Sequence, residues 1–246
     1  MVRKFALSAS LCALTFAAAC AQENAVPADR AATEEIVREY ILSNPEIIED
    51  ALIALNEKRL AEQEAAASIA VAENADMIFN ASGDFSIGPD DAPVTVVEFF
   101  DYRCGPCRGS METVNALPDR YKGQVRVVFK EFPILSPESR VAAVAALAAG
   151  RQGKYVEMHR AFMRSPSKFT EQDIVKIAKN LDLDIDRWML DRQDEALRDQ
   201  IDSTYALAQA VGANSTPTFV VGDQLFAGLD PERLEALIAE GIAKAG

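Results

Sequence analysis

The chain has 246 residues, of which 49% are hydrophobic and 26% are charged, and its formal net charge is -13. This apolar share is too high for a disordered chain, so we expect one large folded domain or two small ones. The negative charge opposes broad contact with nucleic acid or anionic lipid, because such binding depends on clustered lysine and arginine side chains. The four cysteines could form two disulfides or one metal site, and their positions decide between these uses.

The first segment has the pattern of an export signal. Arg3 and Lys4 precede an apolar run of about 15 residues, and small residues follow up to Ala21. The run is shorter than the roughly 20 residues that a membrane-spanning helix needs. We therefore expect a signal peptide over residues 1–21, whose removal leaves a mature chain outside the cytosol, where cysteines can be oxidised.

Two of the four cysteines, Cys12 and Cys20, belong to this segment. A second interpretation keeps one of them, because residues 17–20 resemble a lipobox in which Cys20 becomes the lipid-bearing first residue of a lipoprotein. Ala17 stands where such a site usually has a large aliphatic residue. Under both interpretations, Cys104 and Cys107 are the cysteines that remain for redox chemistry.

A helical arm is expected over residues 22–84. Residues 22–31 are polar and are interpreted as a tether. One helix is predicted from Thr33, and a second begins at Pro45 and continues through residues rich in strong helix formers. The apolar stripe of this second helix does not continue along its length, so it is either an exposed linker helix or an oligomerisation arm.

Residues 85–246 have the pattern of an α/β domain. Val94–Phe100 has the composition of a buried strand, a helix follows from Cys104, and residues 125–129 are apolar enough for the next strand. Strand, helix and strand joined by short links predict that the two strands are parallel. The remaining predicted elements are a helical region over 137–211, a hairpin of strands 218–221 and 225–227, and a final helix capped by Asp230.

The Cys104-Gly105-Pro106-Cys107 motif predicts redox chemistry. The first sulfur would lie at a helix N-terminus, where unpaired N–H groups and the helix dipole stabilise a thiolate, so Cys104 is the candidate nucleophile. Cys107 would be buried one turn further on and would resolve a mixed disulfide. Zinc or an iron–sulfur cluster needs more ligands than these thiols and the distant His159 supply, so we expect no metal and no cofactor. A purely structural disulfide is the alternative, but so short a loop constrains the unfolded chain only weakly.

Several separated motifs then occur in a fixed order along the chain: Val97–Tyr102 before the cysteine pair, Lys130–Leu135, Tyr155–His159 and Ser215–Phe219. With them the sequence resembles the DsbA-like periplasmic thiol–disulfide oxidoreductases from about Gly88 to the C-terminus. The resemblance implies an α/β thioredoxin fold with a mixed central sheet and an inserted helical domain, preceded by the N-terminal helical arm.

The N-terminal arm carries a second, shorter resemblance. The region around Asn44–Ile47 is similar to the N-terminal helices of copper-sensitivity-suppressor members of this family, some of which oligomerise through them. This resemblance covers only about forty residues.

The resemblance also implies roles for particular residues. Pro217 would be the cis-proline that faces the cysteine pair, and Thr216 before it would pair its backbone with an extended substrate. Glu98 would be a buried carboxylate that relays protons for the second cysteine, with a solvated strand residue as the alternative. Lys130 is its candidate ionic partner, and His159 is interpreted as a packing residue.

One departure from the family bears on the direction of electron flow. Strong oxidases usually carry a histidine between the cysteines, which stabilises the thiolate, whereas this chain has Gly105 and Pro106, as thioredoxin does. We therefore expect an intermediate or reducing potential on the scale from about -270 mV for thioredoxin to about -120 mV for DsbA.

Three functions remain open at this point. The first is a periplasmic enzyme that exchanges disulfides with unfolded or partly folded exported proteins and works with a membrane redox partner. The second is an oligomeric disulfide isomerase or reductase that assembles through residues 33–80. The third is a non-enzymatic copper-binding or chaperone-like module. No nucleic acid partner is expected.

Overall fold

The computed structural model describes residues 28–165 and 169–245. The predicted signal peptide, with Cys12 and Cys20, lies outside the described residues. The chain divides into two compact units, with the boundary between Lys58 and Arg59. Within the described ranges, no helix combines the length and the apolar character that crossing a membrane requires.

The first unit contains helix α1 (Ala28–Ser43) and the beginning of helix α2 (Glu46–Glu73). Helix α1 begins at Ala28 rather than at Thr33, so the interpretation of residues 28–31 as part of a polar tether is wrong. Alanines favour the helix there, and Arg30 Nε donates to Glu34 Oε1 at 2.9 Å one turn further on. The prediction that helix formers extend the second helix is confirmed by the length of α2.

Large apolar side chains remain exposed in this first unit. They include Ile36, Tyr40 and Leu42 on α1 and Leu52 on α2, each at least 60% exposed. Surface clusters of this kind are typical of segments that bind another surface.

The second unit contains the end of α2, a five-stranded sheet and the remaining described helices. Most of these elements follow the sequence prediction, including the helical region that precedes the predicted hairpin. The elements are α3 (Ala75–Phe79), β1 (Phe85–Ile87), β2 (Val94–Phe100), α4 (Gly105–Asn115), α5 (Leu117–Arg120), β3 (Val125–Glu131), α6 (Pro137–Gly150), α7 (Tyr155–Arg164), α8 (Glu171–Asn180), α9 (Ile185–Asp191), α10 (Glu195–Val211), β4 (Thr218–Val221), β5 (Gln224–Ala227) and α11 (Pro231–Ala245).

The sheet has the strand order β1-β3-β2-β4-β5. Strands β2 and β3 are parallel, as the strand–helix–strand pattern predicts, and the other three pairs are antiparallel. Helices α6 to α10 are inserted between β3 and β4. The mixed sheet and this insertion confirm the expected fold class, whereas the short strand β1 was not predicted.

The two faces of the sheet pack against different helices. Because side chains alternate along a strand, Val96 and Phe100 of β2 face one core, which includes residues of α4, α6, α7 and α11. Val97 and Phe99 face a second core, which includes residues from the end of α2, from α3 and from α10. We call these the first and second faces, and the cysteine pair belongs to the first.

Candidate active site

Cys104 occupies the N-cap position of helix α4. Strand β2 ends at Phe100, and a turn closed by the bond from Cys104 N to Asp101 O (3.0 Å) leads into the helix. Pro106 lies in the first turn of the helix, where its missing N–H costs no helical hydrogen bond. The Cys104 side chain accepts a hydrogen bond from the backbone N–H of Cys107, with 3.4 Å between Sγ and N. The motif therefore places the first sulfur at the positive end of the helix.

The two thiols have very different surroundings. The hydrogen bond from the Cys107 side chain is the main cause that lowers the pKa of Cys104 to about 6, and the Cys107 backbone N–H contributes. Cys107 is fully buried, and this burial raises the pKa of its thiol well above the ordinary value. At neutral pH, Cys104 is thus the thiolate of the pair and Cys107 holds its proton.

The loop before β4 lies against Cys104. Its Sγ is 3.0 Å from the backbone carbonyl oxygen of Thr216, which accepts a hydrogen bond from the thiol when Cys104 is protonated. The peptide bond between Thr216 and Pro217 is cis, the form that the resemblance implies. Gly228 N donates to Pro217 O at 2.8 Å. The structure therefore brings Thr216 and Pro217 to the cysteine pair, while their role towards a substrate stays a prediction.

Glu98 is buried on the first face of the sheet, with 1% of its surface exposed. Its neighbours in register are Phe129 on β3 and Phe219 on β4. Ser110 Oγ lies 3.3 Å from Glu98 Oε1 and provides a hydrogen-bond donor. Burial raises the pKa of Glu98 to about 8, although the bond from Ser110 acts in the opposite direction. The alternative of a solvated strand residue is therefore wrong, and the relay role stays a prediction.

Lys130 is not the ionic partner of Glu98. The residue in register with Glu98 is Phe129, so Lys130, one position further along β3, points to the second face. There its ammonium group forms a buried ion pair with Asp84 and donates to the carbonyl of Met77. The prediction is wrong because neighbouring residues of a strand lie on opposite faces.

Asp101 belongs to the sequence motif before the cysteines, and the structure gives it a role that the motif did not indicate. Its buried carboxylate accepts hydrogen bonds from Arg103 N at 2.7 Å, Leu135 N at 2.9 Å and Ser139 Oγ at 2.7 Å. These bonds join the turn before Cys104 to the loop and helix that follow β3. An aspartate at the end of a strand, followed by a turn, was the available signal.

A second buried carboxyl group, that of Glu131, lies at the end of β3. Tyr102 and Tyr155 both donate to Glu131 Oε1, at 2.7 and 2.9 Å. Burial raises the pKa of Glu131 to about 8 and the pKa of both tyrosines well above 10. The sequence pattern predicted no function for Glu131 or for either tyrosine.

His159 packs beside this second carboxyl group. Its ring centroid lies 4.5 Å from that of Phe129 and 4.8 Å from that of Phe100, and Nδ1 is 3.4 Å from the Tyr102 hydroxyl. Burial is the main cause that lowers the pKa of His159 to about 3, so the ring is neutral. These contacts agree with the interpretation of His159 as a packing residue.

The arrangement of thiols, carboxyl group and cis-proline suits disulfide exchange. Among residues 28–165 and 169–245, no cluster of three or more histidine, cysteine or acidic side chains is placed to hold a metal ion. Two thiols of unequal proton affinity at one end of a mixed sheet are the arrangement of thiol–disulfide oxidoreductases with a thioredoxin fold.

Two models of known protein families match this chain. Residues 80–240 match the family model described as thioredoxin, and the chain belongs to this family. Residues 29–62 match the model of the copper resistance protein ScsC N-terminal domain. Both parts of the resemblance found in the sequence are thus confirmed: the chain combines a domain of the thioredoxin family with a segment that matches the ScsC N-terminal domain.

Solved structures of such proteins are similar to this one. A thioredoxin-like oxidoreductase from Silicibacter pomeroyi DSS-3 is 39% identical, with a TM-score of 0.66, and the match covers 70% of this chain and 99% of that one. The thiol-disulfide exchange protein α-DsbA2 from Wolbachia pipientis is 28% identical, with a TM-score of 0.68, over 73% and 97% of the two chains. A linker-deletion mutant of Proteus mirabilis ScsC is 25% identical, with a TM-score of 0.66, over 90% and 100%.

The chain spans less than a quarter of the length of the first curated relatives that it matches. The Na(+)/H(+) antiporter NhaA 3 of Salinispora tropica is 34% identical over 154 residues, which are 62% of this chain and 23% of that protein.

Proposed function

We propose that this chain is an exported enzyme that exchanges disulfides with protein substrates through Cys104 and Cys107. The observation that carries the proposal is the inequality of the pair. Cys104 lies at the N-cap of α4 with a pKa of about 6, whereas Cys107 is fully buried and keeps its proton. Such a pair provides a nucleophile and a separate resolving thiol.

The reduction of a substrate disulfide proceeds in two steps. The Cys104 thiolate attacks one substrate sulfur, the substrate disulfide breaks, and the other substrate sulfur leaves as a thiolate. Cys107 then passes its proton to Glu98 and attacks the Cys104 sulfur, which releases the second substrate thiolate. Two electrons have moved from the cysteine pair to the substrate, and the reverse sequence oxidises a substrate dithiol.

Thr216 and Pro217 are the proposed substrate-binding residues. The Thr216 carbonyl oxygen, 3.0 Å from Cys104 Sγ, faces the position that a substrate sulfur must reach. An extended substrate segment can donate a backbone N–H to this carbonyl and so lie beside the nucleophile as an added strand. Gly105 and Pro106 support the site by leaving its entrance open, since both are exposed.

The pKa of Cys104 also supports an intermediate or reducing potential. Its value of about 6 lies closer to that of the thioredoxin nucleophile, about 7, than to that of DsbA, about 3.5. A less stabilised thiolate makes the dithiol form less stable and the enzyme a weaker oxidant. Equilibration with glutathione measures the potential, and a value above about -150 mV would contradict this assignment.

The proposed substrates are unfolded or partly folded exported proteins, and a membrane protein would serve as the redox partner. Export rests on the signal-like segment 1–21, which favours the periplasm, with lipid attachment at Cys20 as the alternative. Cell fractionation of the full chain and of Cys20→Ala separates the two. A soluble periplasmic protein in both cases supports the signal peptide, and membrane attachment lost only in the variant supports the lipoprotein.

Trapping of mixed disulfides tests the enzymatic proposal. Cys107→Ala should accumulate a covalent adduct between Cys104 and a disulfide-containing protein, seen by non-reducing electrophoresis and mass spectrometry, and should lose turnover. Cys104→Ala, as the matched control, should lose both the adduct and turnover. Turnover that survives both substitutions would contradict the proposal, and the copper-binding or chaperone-like alternative would then take its place.

A second candidate, an oligomeric isomerase or reductase, is favoured by the exposed apolar side chains of the first unit. These include Tyr40, Leu42 and Leu52, in the segment that matches the ScsC N-terminal domain. Light scattering on the mature chain tests it, with Leu52→Lys as the variant and Leu190→Lys, at an exposed site of α9, as the control. A stable oligomer that only Leu52→Lys dissociates supports this candidate, and a monomer supports the first.

A further inference from the structure

The hydroxyl group of Ser110 lies within hydrogen-bond distance of both the Glu98 carboxyl group and the backbone carbonyl of Cys107. Ser110 is 1% exposed and belongs to helix α4, one turn after Cys107. Its Oγ is 3.3 Å from Glu98 Oε1 and 2.9 Å from the backbone carbonyl oxygen of Cys107. The exchange reaction as described above does not use this group.

A serine hydroxyl has one proton, so Ser110 can donate to only one of these two acceptors at a time. A hydrogen bond to an ionised carboxylate is stronger than one to a neutral carbonyl. The hydroxyl therefore donates to Glu98 while Glu98 is ionised. Once Glu98 has taken a proton, the hydroxyl can turn to the Cys107 carbonyl without losing a hydrogen bond.

The other neighbours of Glu98 offer no comparable support for its charge. Phe129 and Phe219 flank it on the adjacent strands and are apolar. From α4 it faces the cysteine pair, and a negative charge on Cys104 raises the pKa of Glu98 further. Glu131, two residues beyond Phe129, is bound to its own tyrosines. Among the described residues, Ser110 is therefore the group whose hydrogen bond favours the ionised carboxylate.

We propose that Ser110 is a positioning residue for the step in which Cys107 resolves the mixed disulfide, because its hydroxyl stabilises the ionised form of Glu98, which accepts the Cys107 proton. In this step the proton moves from Cys107 Sγ to Glu98. The Cys107 thiolate forms a bond with Cys104 Sγ, and the bond from Cys104 to the substrate sulfur breaks, with the electron pair leaving on the substrate thiolate. The inference rests on the proposed exchange function.

The rate of resolution as a function of pH tests the proposal. A mixed disulfide is formed at Cys104 with a model peptide at low pH, and the release of the peptide is followed after a jump to each higher pH. In Ser110→Ala, the midpoint of the profile should move upward by about one pH unit, the effect of losing one charge-assisted bond. Below the midpoint, resolution should slow roughly three- to tenfold, since a more basic carboxylate partly offsets its smaller ionised fraction. Ser110→Thr, which keeps the hydroxyl, should restore the wild-type midpoint.

Two controls separate this role from a structural one. Near-ultraviolet circular dichroism should show unchanged packing in Ser110→Ala. Infrared spectroscopy of protein with labelled glutamate should show the ionisation of one buried carboxyl group shifted upward in Ser110→Ala, and Glu98→Gln identifies that group by its loss. This measurement needs no thiol exchange.

The outcomes distinguish this inference from the proposed function. An unchanged midpoint in Ser110→Ala, in both the kinetic and the infrared titration, would overturn the role of Ser110 while leaving disulfide exchange intact. If no mixed disulfide forms with the wild-type protein, the exchange function fails, and the resolving role of Ser110 falls with it. A shift in both titrations, reversed by Ser110→Thr, is the result that supports the proposal.

Discussion

Two buried carboxyl groups on the same face of the sheet differ in what surrounds them. Glu98 on β2 and Glu131 on β3 are both almost fully buried, and burial raises the pKa of each to about 8. Glu98 lies beside Ser110 and the cysteine pair, whereas Glu131 accepts hydrogen bonds from Tyr102 and Tyr155. Similar burial has thus given the two carboxyl groups similar pKa values, although one lies beside the cysteine pair and the other beside two tyrosines.

Burial is therefore the main cause of the raised pKa of both carboxyl groups, and the neighbouring side chains decide whether each group can take part in proton transfer. Burial is the main cause that raises the pKa of Cys107, and a negative charge on Glu98 raises it further. The tyrosines beside Glu131 have pKa values well above 10, so they keep their protons at any physiological pH. Under the proposed function, Glu98 exchanges a proton with Cys107, whereas Glu131 joins the turn before the cysteines to helix α7.

The largest expected difference between the two groups is kinetic. Glu98→Gln should slow the resolution of a mixed disulfide at pH 7 by about 10²-fold, because the acceptor of the Cys107 proton is lost. Glu131→Gln should leave this rate within about twofold, because the described hydrogen-bond donors to Glu131 are tyrosines and not Cys104 or Cys107. The assay is the pH-jump release of a peptide from Cys104. Equal slowing in the two variants would remove the distinction between the groups.

A smaller difference is expected in the pH dependence of stability. The folded-state pKa of Glu98, about 8, is above the unfolded value of 4.5, so the raised pKa adds no pH-dependent cost below pH 4.5. The cost grows as pH rises towards 8, because the unfolded chain can then ionise and the folded chain resists it. Relative to wild type, Glu98→Gln should therefore gain roughly 2 to 4 kcal/mol between pH 4.5 and pH 8.

Urea unfolding of the reduced protein at several pH values measures this gain. The cost of burying the glutamine amide is present at every pH, so the change with pH isolates the carboxyl group. A difference between variant and wild type that stays constant from pH 4.5 to pH 8 would show that Glu98 is not held in its protonated form.

The smallest effect concerns the hydrogen bonds of Glu131. Tyr155→Phe removes one of its two donors and should lower the free energy of unfolding by about 1 kcal/mol. The pH dependence of Cys104 alkylation should not change. Tyr121→Phe, at a half-buried tyrosine outside this cluster, is the matched control for unfolding. A shifted Cys104 alkylation profile in Tyr155→Phe would show that the two carboxyl regions are coupled.

The long elements of the fold could be predicted from the sequence. Apolar runs and helix formers indicated β2, β3 and the helices between β3 and β4, and the short links around α4 predicted the parallel pair. Strand β1 has only three half-buried residues, too few for a period to be recognised. The start of α1 was missed because alanine and arginine favour a helix without making an apolar stripe.

The site was predictable where a local motif carries the chemistry. The CxxC spacing indicated the roles of Cys104 and Cys107, and the resemblance led to Glu98, Thr216 and Pro217. The partners of these residues could not be found in the same way. The sequence prediction made Lys130 the ionic partner of Glu98, but the strand register places the two side chains on opposite faces of the sheet.

Sequence patterns also failed to indicate the importance of three other residues, Ser110, Asp101 and Glu131. Each is a common polar residue whose importance depends on a contact with a residue between 2 and 38 positions away. Such contacts follow from the packing of α4, α6 and α7 on the sheet, which no local pattern specifies.

The pH dependence of alkylation of the two cysteines in the reduced wild-type protein tests the central claim most directly. Reaction with iodoacetamide, followed by peptide mass spectrometry, gives the rate at each thiol separately. The account predicts that Cys104 reacts with a midpoint near pH 6 and that Cys107 stays unmodified in the folded protein. Equal reaction of both thiols, with a common midpoint near the ordinary cysteine value of about 8.5, would contradict it.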